Sequence, residues 1–184
     1  PIARALASGR TGSVGVSGSL RDLWQQDLSV MLTQALRRQG RYATIADADA
    51  DPERERLIVE QFASQRVDGA LVSPVDPSAE YWRLLEPQVA VVSIGDALIG
   101  RPDSGSVLFD NRHGVGTALA HLADLGHRRV GLLAPSLPST PGRPAQMLAE
   151  QVAAARNIEL ITIPAPVAMA EAIAVATTLL SDPG

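Results

Sequence analysis

Residues 107–134 read VLFDNRHGVGTALAHLADLGHRRVGLLA, and this stretch decides the fold class. A short apolar run from Val107 to Phe109 is followed by a segment of helical period from Gly114 to Leu125. Gly126 stands where helices commonly end, and a second apolar run begins at Val130. A strand, a helix and another strand in this order are typical of parallel sheets with crossover helices.

The same alternation continues on both sides of this stretch. The apolar runs before it predict strands at Val14 to Val16, Tyr42 to Ala46, Gly69 to Val72 and Val89 to Ile94. The elements predicted after Val130 to Leu133 are a helix at Ala145 to Arg156, a strand at Ile158 to Ile163 and a helix at Ala168 to Leu180. We therefore predict an α/β protein whose second unit is incomplete, because a sheet of two strands buries too little to be stable alone.

Two helices are predicted between the early strands. The first is expected to bury Leu28, Met31, Leu32, Ala35 and Leu36, which recur every three or four residues. The second is expected to begin with Asp51 as N-cap and Pro52 in the first turn, and to bury Leu57, Ile58 and Phe62.

The composition excludes several classes of protein. All 16 basic residues are arginine, so a phosphate-loop lysine and a Schiff-base lysine are both excluded. A net charge of −4 argues against this stretch binding nucleic acid by itself. The absence of cysteine excludes disulfides and thiolate metal sites, and no apolar run is long enough to span a membrane.

Three apparent motifs are rejected because their spacing or the residues around them do not fit the motif. Glycines 9, 12, 15 and 18 resemble a dinucleotide-binding fingerprint, but the predicted strand lies among them and not before them. The aspartates 47, 49 and 51 resemble the start of a calcium loop, but Pro52 occupies the position that needs glycine. Histidines 113, 121 and 127 are too widely spaced for a helical metal pair. We expect no metal and no cofactor.

Four segments, in their order and spacing, resemble the lactose/galactose-repressor (LacI/GalR) regulators. They cover most of residues 3–135 and read, in order, ARALASGRTGSVGV, DADPERE, RVDGALVSP and DNRHGVGTALAHLADLGHRRVGLLA. The resemblance implies a type I periplasmic-binding-protein-like fold, with two doubly wound parallel-sheet subdomains around a ligand cleft. It divides the chain into a hinge remnant (1–11), an N-terminal effector-binding subdomain (12–126) and a partial C-terminal subdomain (127–184).

The resemblance and the topology together indicate an effector site. Ligands of open α/β sheets bind at the carboxyl ends of the strands, which here include Ser19, Leu20 and Ser73. Asp110 matches the acidic residue of the family's DN motif, and it either contacts the effector or caps the following helix. His113 lies where some relatives carry a polar ligand contact, or it is a solvated residue at the helix start.

Two further expectations come from the resemblance. One concerns a segment that matches the family pattern, and the other a position that departs from it. Ala3, Arg4 and Leu6 resemble the hinge that inserts a leucine into the DNA minor groove, with a simple terminal tail as the alternative. The family's ligand-binding arginine falls on Ala145, so Arg143 is the nearest guanidinium that could replace it. The alternative is that Arg143 is a solvated loop residue.

The predicted function is therefore the effector-sensing core of a cytoplasmic transcriptional repressor, and not an enzyme. It would bind a sugar or small metabolite and act on operator DNA through a helix-turn-helix that precedes residue 1, as a homodimer away from membranes. A solute-binding protein of a sugar transporter is the alternative, and a doubly wound enzyme lacks a catalytic constellation. We also expect Gly184 to be a truncation and not a natural terminus.

Overall fold

The computed structural model describes residues 10–135, 143–166 and 169–181, which form two compact units that divide between Leu108 and Phe109. The first unit contains β1 (Ser13–Gly18), α1 (Leu23–Arg38), β2 (Tyr42–Asp47), α2 (Pro52–Ser64), β3 (Gly69–Val72), a 3-10 helix (Glu80–Leu84), β4 (Ala90–Ile94) and β5 (Gly105–Val107). The second contains α3 (Asn111–Asp124), β6 (Arg129–Pro135), α4 (Arg143–Ala155), β7 (Glu159–Ala165) and α5 (Met169–Ser181).

The first unit is built on a five-stranded sheet in the order β2-β1-β3-β4-β5, and every neighbouring pair is parallel. Val16 at the centre of β1 lies opposite Ile45 on one side and Leu71 on the other. The predicted parallel α/β class is confirmed. Since all five strands run in the same direction, their carboxyl ends meet at one edge of the sheet.

Helix α2 begins where the sequence predicts. The Asp51 carboxylate accepts the backbone N–H of Glu53 at 2.8 Å, and Pro52 occupies the first helical position. Behind this cap, Ile58, Val59 and Phe62 are buried against the sheet, whereas Leu57 is exposed, contrary to the prediction. The apolar side of the helix is therefore displaced by one position from the predicted one.

Helix α1 is also rotated relative to the prediction. Met31, which we expected to be buried, is 66% exposed, whereas Gln25 and Ser29 are buried. Both polar side chains have partners, because the Gln25 Oε1 accepts the Ser19 N–H at 2.8 Å and the Ser29 hydroxyl donates to the Gln25 carbonyl at 2.8 Å. The spacing of apolar residues does not reveal a buried helix face whose polar side chains are hydrogen-bonded.

The second unit has a two-stranded parallel sheet, β6-β7. Helices α3 and α4 pack on it through Leu119, Ala149 and Ala153, with Ile158 just before β7. The predicted subdomain boundary lies after Gly126, whereas the compact units divide before α3. The difference is that Leu119 of α3 is buried against α4, so this helix packs with the later residues.

Candidate functional site

The carboxyl edge of the first sheet brings together three of the predicted effector residues. Ser19 and Leu20 directly follow β1, and Ser73 directly follows β3, where its N–H donates to the Ser17 carbonyl at 2.8 Å. A Cβ placed on Gly18 would lie 3.3 Å from the Ser73 Cβ, so the ends of these two strands are in contact. Ser19 and Ser73 are buried in this arrangement, and Leu20 is partly exposed.

The loop after β1 is tied to the loop after β2. The Ser19 hydroxyl accepts the N–H of Ala50 at 2.9 Å, and the Asp47 carboxylate accepts the N–H groups of Leu20 and Asp49, each at 2.9 Å. These bonds fix the backbone next to Leu20. Such preorganisation lowers the entropic cost of binding.

The loop after β2 carries backbone strain. Asp49 and Ala50 both adopt positive φ, 49° and 54°, which costs a non-glycine residue roughly 1–2 kcal/mol. The Asp49 carboxylate is held by Arg21 at 2.8 Å and by Arg54 at 2.9 Å. A strained conformation persists where its surroundings over-determine it, and such places concentrate at ligand-binding regions.

Sequence reasoning missed Glu55, which lies behind the loop that follows Ser73. Its side chain is fully buried, and its two carboxylate oxygens accept the N–H of Val75 at 2.6 Å, the N–H of Asp76 at 2.9 Å and the Tyr81 hydroxyl at 2.5 Å. Burial raises the pKa of Glu55 to about 7, although the three hydrogen bonds act in the opposite direction. A glutamate in the first turns of a helix gives no sequence signal of such burial.

The remaining predicted effector residues belong to the second unit. The Asp110 carboxylate accepts the His113 N–H at 3.0 Å and caps α3, and the side chains of both residues are exposed. Arg143 is the first residue of α4, and its side chain lies outside what the structure describes. Capping is thus observed for Asp110, while effector contacts by Asp110, His113 and Arg143 stay predictions.

The opposite, amino edge of the first sheet is tied together by Asp68. Its carboxylate accepts the N–H groups of Thr11 and Gly12, each at 2.9 Å, and the Arg41 guanidinium at 2.8 Å. Burial raises the pKa of Asp68, but the hydrogen bonds from Thr11 and Gly12 and the charge of Arg41 outweigh it, and the net pKa is lowered. The starts of β1, β2 and β3 are thereby joined just after the predicted hinge residues Ala3, Arg4 and Leu6, which lie outside the described residues.

Two further findings concern residues 10–135, 143–166 and 169–181, which the structure describes. No group of three or more histidine, aspartate or glutamate side chains there could hold a metal ion. None of the described helices is both long and apolar enough to cross a membrane.

The sequence is similar to that of a transcriptional regulator. It is 29% identical over 133 residues to the HTH-type transcriptional regulator GalR of Escherichia coli, a match that covers 71% of this chain and 38% of the relative. The match therefore spans less than two fifths of the curated relative's length. No protein-family model matches the sequence.

Solved structures with the same fold include regulators and a transport protein. A dimeric Lac repressor with a C-terminal deletion superposes with a TM-score of 0.77 at 18% identity, over 92% of this chain and 64% of that one. The Cra regulator of Pseudomonas putida in complex with fructose 1-phosphate gives 0.74 at 21% identity, over 85% and 59%. The arabinose-transporter binding protein of Shewanella sp. ANA-3, bound to L-arabinofuranose, gives 0.75 at 18% identity, over 92% and 60%.

These comparisons confirm the fold and the resemblance. The chain has the periplasmic-binding-protein-like α/β fold, and it resembles the effector-binding core of the LacI/GalR regulators in both sequence and structure.

Proposed function

We propose that this chain is the effector-sensing core of a transcriptional repressor that binds a sugar or small metabolite and changes its affinity for operator DNA in response. The observation that carries the proposal is the 133-residue match to GalR, a named transcriptional regulator. The transporter alternative shares only the fold, at 18% identity to the arabinose-binding protein. The regulator relatives also favour a sensor over an enzyme.

The chemistry of the carboxyl edge suits a hydroxylated ligand. Leu20 offers apolar contact next to the Asp47 carboxylate, and the partly exposed Asp76 and Asp96 follow β3 and β4. Carboxylates are strong acceptors for sugar hydroxyls, and a small number of placed polar groups fixes the orientation of a small-molecule ligand. Ser19 and Ser73 help to fix the backbone that carries these groups.

A repressor of this kind needs a DNA-binding element and a second copy of the chain, and we propose both. We place the operator contact in a helix-turn-helix before residue 1, since the core carries a net charge of −4. A homodimer has a candidate surface on α1, where Leu23, Trp24, Val30 and Met31 are all more than two fifths exposed. We place the whole protein in the cytoplasm.

The direct test uses the full-length protein and two measurements. Calorimetry against D-galactose, D-ribose, D-fructose, L-arabinose and adenine identifies the effector class. Fluorescence anisotropy with duplexes selected from a random pool then measures DNA affinity with and without that compound. We expect at least a tenfold change in DNA affinity, which corresponds to about 1.4 kcal/mol of coupling. Sugar binding without any selectable DNA sequence would favour the transporter alternative.

The hinge assignment predicts a loss of operator affinity in Leu6→Gly. If Leu6 is the side chain that wedges into the minor groove, its removal weakens operator binding by at least about tenfold, because the kinked DNA loses its apolar support. Sugar binding to the core should be unaffected in the same preparation. Ile2→Gly serves as the control for a nearby apolar residue. Equal operator affinity of wild type and Leu6→Gly would remove Leu6 from the DNA interface.

The departure from the family arginine predicts a role for Arg143. If its guanidinium binds the effector through charge-assisted hydrogen bonds, Arg143→Ala weakens binding by about ten- to a hundredfold, or roughly 1.5–3 kcal/mol. Calorimetry measures this change with the effector that the compound panel identifies. The control is Arg156→Ala, which replaces an exposed arginine after α4. A change of less than about twofold would assign Arg143 to the solvated surface.

A further inference from the structure

Glu55 differs from its neighbours in what surrounds it. Glu53 and Arg54 on the same turn of α2 are exposed, whereas the Glu55 side chain is fully buried. All three of its hydrogen-bond donors come from the segment 75–81, which follows β3. One carboxylate on a helix therefore holds one loop.

The loop that it holds is the continuation of the candidate site. Ser73 and Pro74 are buried at the carboxyl edge, and the next two residues, Val75 and Asp76, donate their N–H groups to Glu55. Further along, the Trp82 indole N–H donates to the Asp76 carbonyl at 2.8 Å, which closes the loop onto the core. Removing the acceptor would leave two N–H groups unpaired close to the protein interior, an expensive arrangement.

We propose that Glu55 is a positioning residue of the effector site, and that its charge state sets how firmly the loop after β3 is held. This rests on the proposed function for the link to effector binding, but the hold on the loop can be measured without any effector. As a carboxylate, Glu55 accepts all three donors. As a carboxylic acid it carries a proton of its own, so one donor must leave or the Tyr81 hydroxyl must turn to accept.

The groups that act on Glu55 place its titration in the neutral range. Burial raises the pKa of Glu55 to about 7, the N–H of Asp76, the Tyr81 hydroxyl and the N–H of Val75 lower it, and the Asp76 charge raises it. Burial and the Glu55 bond also raise the pKa of Tyr81, which additionally feels the charges of Asp76 and Glu53, so Tyr81 stays a neutral donor. Glu55 therefore changes its protonation state at pH values near neutrality.

Stability and binding should respond to pH in opposite directions. A carboxyl whose folded pKa is raised from 4.5 to about 7 makes the protein more stable at acid pH, and this contribution is lost as the pH rises through 7. If only the ionised form holds the loop for binding, effector affinity falls about tenfold from pH 8 to pH 6, because about one molecule in eleven is then competent. A merely structural glutamate would change stability and leave affinity alone.

The experiment compares the full-length wild type with Glu55→Gln, Tyr81→Phe and the control Glu53→Gln. Protection factors of residues 73–82 from hydrogen exchange, corrected for intrinsic rates, are measured from pH 6 to pH 8 without effector. Affinity for the tightest-binding sugar of the panel is measured over the same range. We expect protection and affinity to rise with pH in the wild type and in Glu53→Gln, and to stay low and flat in Glu55→Gln.

Tyr81→Phe supplies the signature that loss of folding cannot imitate. Because the hydroxyl stabilises the ionised form, its removal should move the midpoint of both profiles to higher pH. A Glu55→Gln protein with wild-type protection and a wild-type pH profile would overturn the proposal. If no panel compound binds while the protection profile behaves as expected, the hold on the loop stands and the proposed function fails instead.

Discussion

Arg101→Leu is expected to lower the free energy of unfolding of the first unit by about 4 kcal/mol. The guanidinium is 5% exposed and donates to four backbone carbonyls, those of Trp82, Leu85, Glu86 and Val89, at 3.4, 2.5, 3.1 and 3.0 Å. Leucine removes all four of these hydrogen bonds at once, and only the Glu86 carbonyl is known to keep a partner, the Val89 N–H at 2.9 Å. Each hydrogen bond from a charged group contributes roughly 1.5–3 kcal/mol, but the variant is also relieved of the cost of burying the guanidinium charge, so the net loss is smaller than the sum of the four bonds. Domains are stable by only about 5–15 kcal/mol.

Urea unfolding followed by tryptophan fluorescence measures this effect, since buried Trp82 lies in the affected segment. The matched control is Arg83→Leu, because Arg83 is exposed and its Nε donates to a single carbonyl, that of Gly100, at 3.3 Å. The control should cost less than about 1 kcal/mol. Similar losses in both variants would show that Arg101 contributes no more than a surface arginine.

Arg101 also shows where prediction from the sequence stops. Arginine is normally an exposed residue, and the stretch RPDSG around it predicts a solvated turn. Burial follows only because the segment from the 3-10 helix to β4 turns four carbonyls toward one point, and that arrangement depends on tertiary structure. The same holds for Glu55, whose donors lie about twenty residues along the chain from it.

Structural features that depend only on residues close together in the sequence were predictable. The Asp51 cap, Pro52 and the third strand occur where the local pattern places them, and Gly126 adopts a φ of 90° at the end of α3. The orientation of α1 was not predictable, because hydrogen bonds to Gln25 and Ser29 replace apolar contacts on its buried side. The spacing of apolar residues cannot indicate a buried helix face whose polar groups are hydrogen-bonded.

Part of the candidate site was predictable for a topological reason. Ser19, Leu20 and Ser73 follow parallel strands, and the strand direction alone brings their carboxyl ends to one edge. Which of them keep exposed groups was not predictable, since the hydroxyl of Ser19 is engaged by a backbone N–H of the loop after β2. Gly15, one of the four regularly spaced glycines, has a packing role against Phe62.

Gly15→Ala is expected to destabilise the first unit by about 3 kcal/mol. A Cβ at this position would lie 2.5, 2.6 and 2.8 Å from three ring atoms of Phe62, which is fully buried. The ring cannot retreat into solvent, so either it leaves its rotamer or β1 shifts, and overpacking of this kind costs roughly 1–3 kcal/mol. Gly105→Ala is the control, because its Cβ would meet Val92 at 3.5 Å, an ordinary contact distance.

A double-mutant cycle tests the cause of this loss. Phe62→Leu alone removes part of a buried ring and is destabilising, by less than the roughly 3–5 kcal/mol expected for Phe62→Ala. Combined with Gly15→Ala, the smaller side chain leaves room for the added methyl group, so the double variant should be more stable than the sum of the two losses predicts by at least about 1 kcal/mol. Urea unfolding by tryptophan fluorescence measures all four proteins. Strict additivity would mean that the loss in Gly15→Ala does not arise from the ring of Phe62.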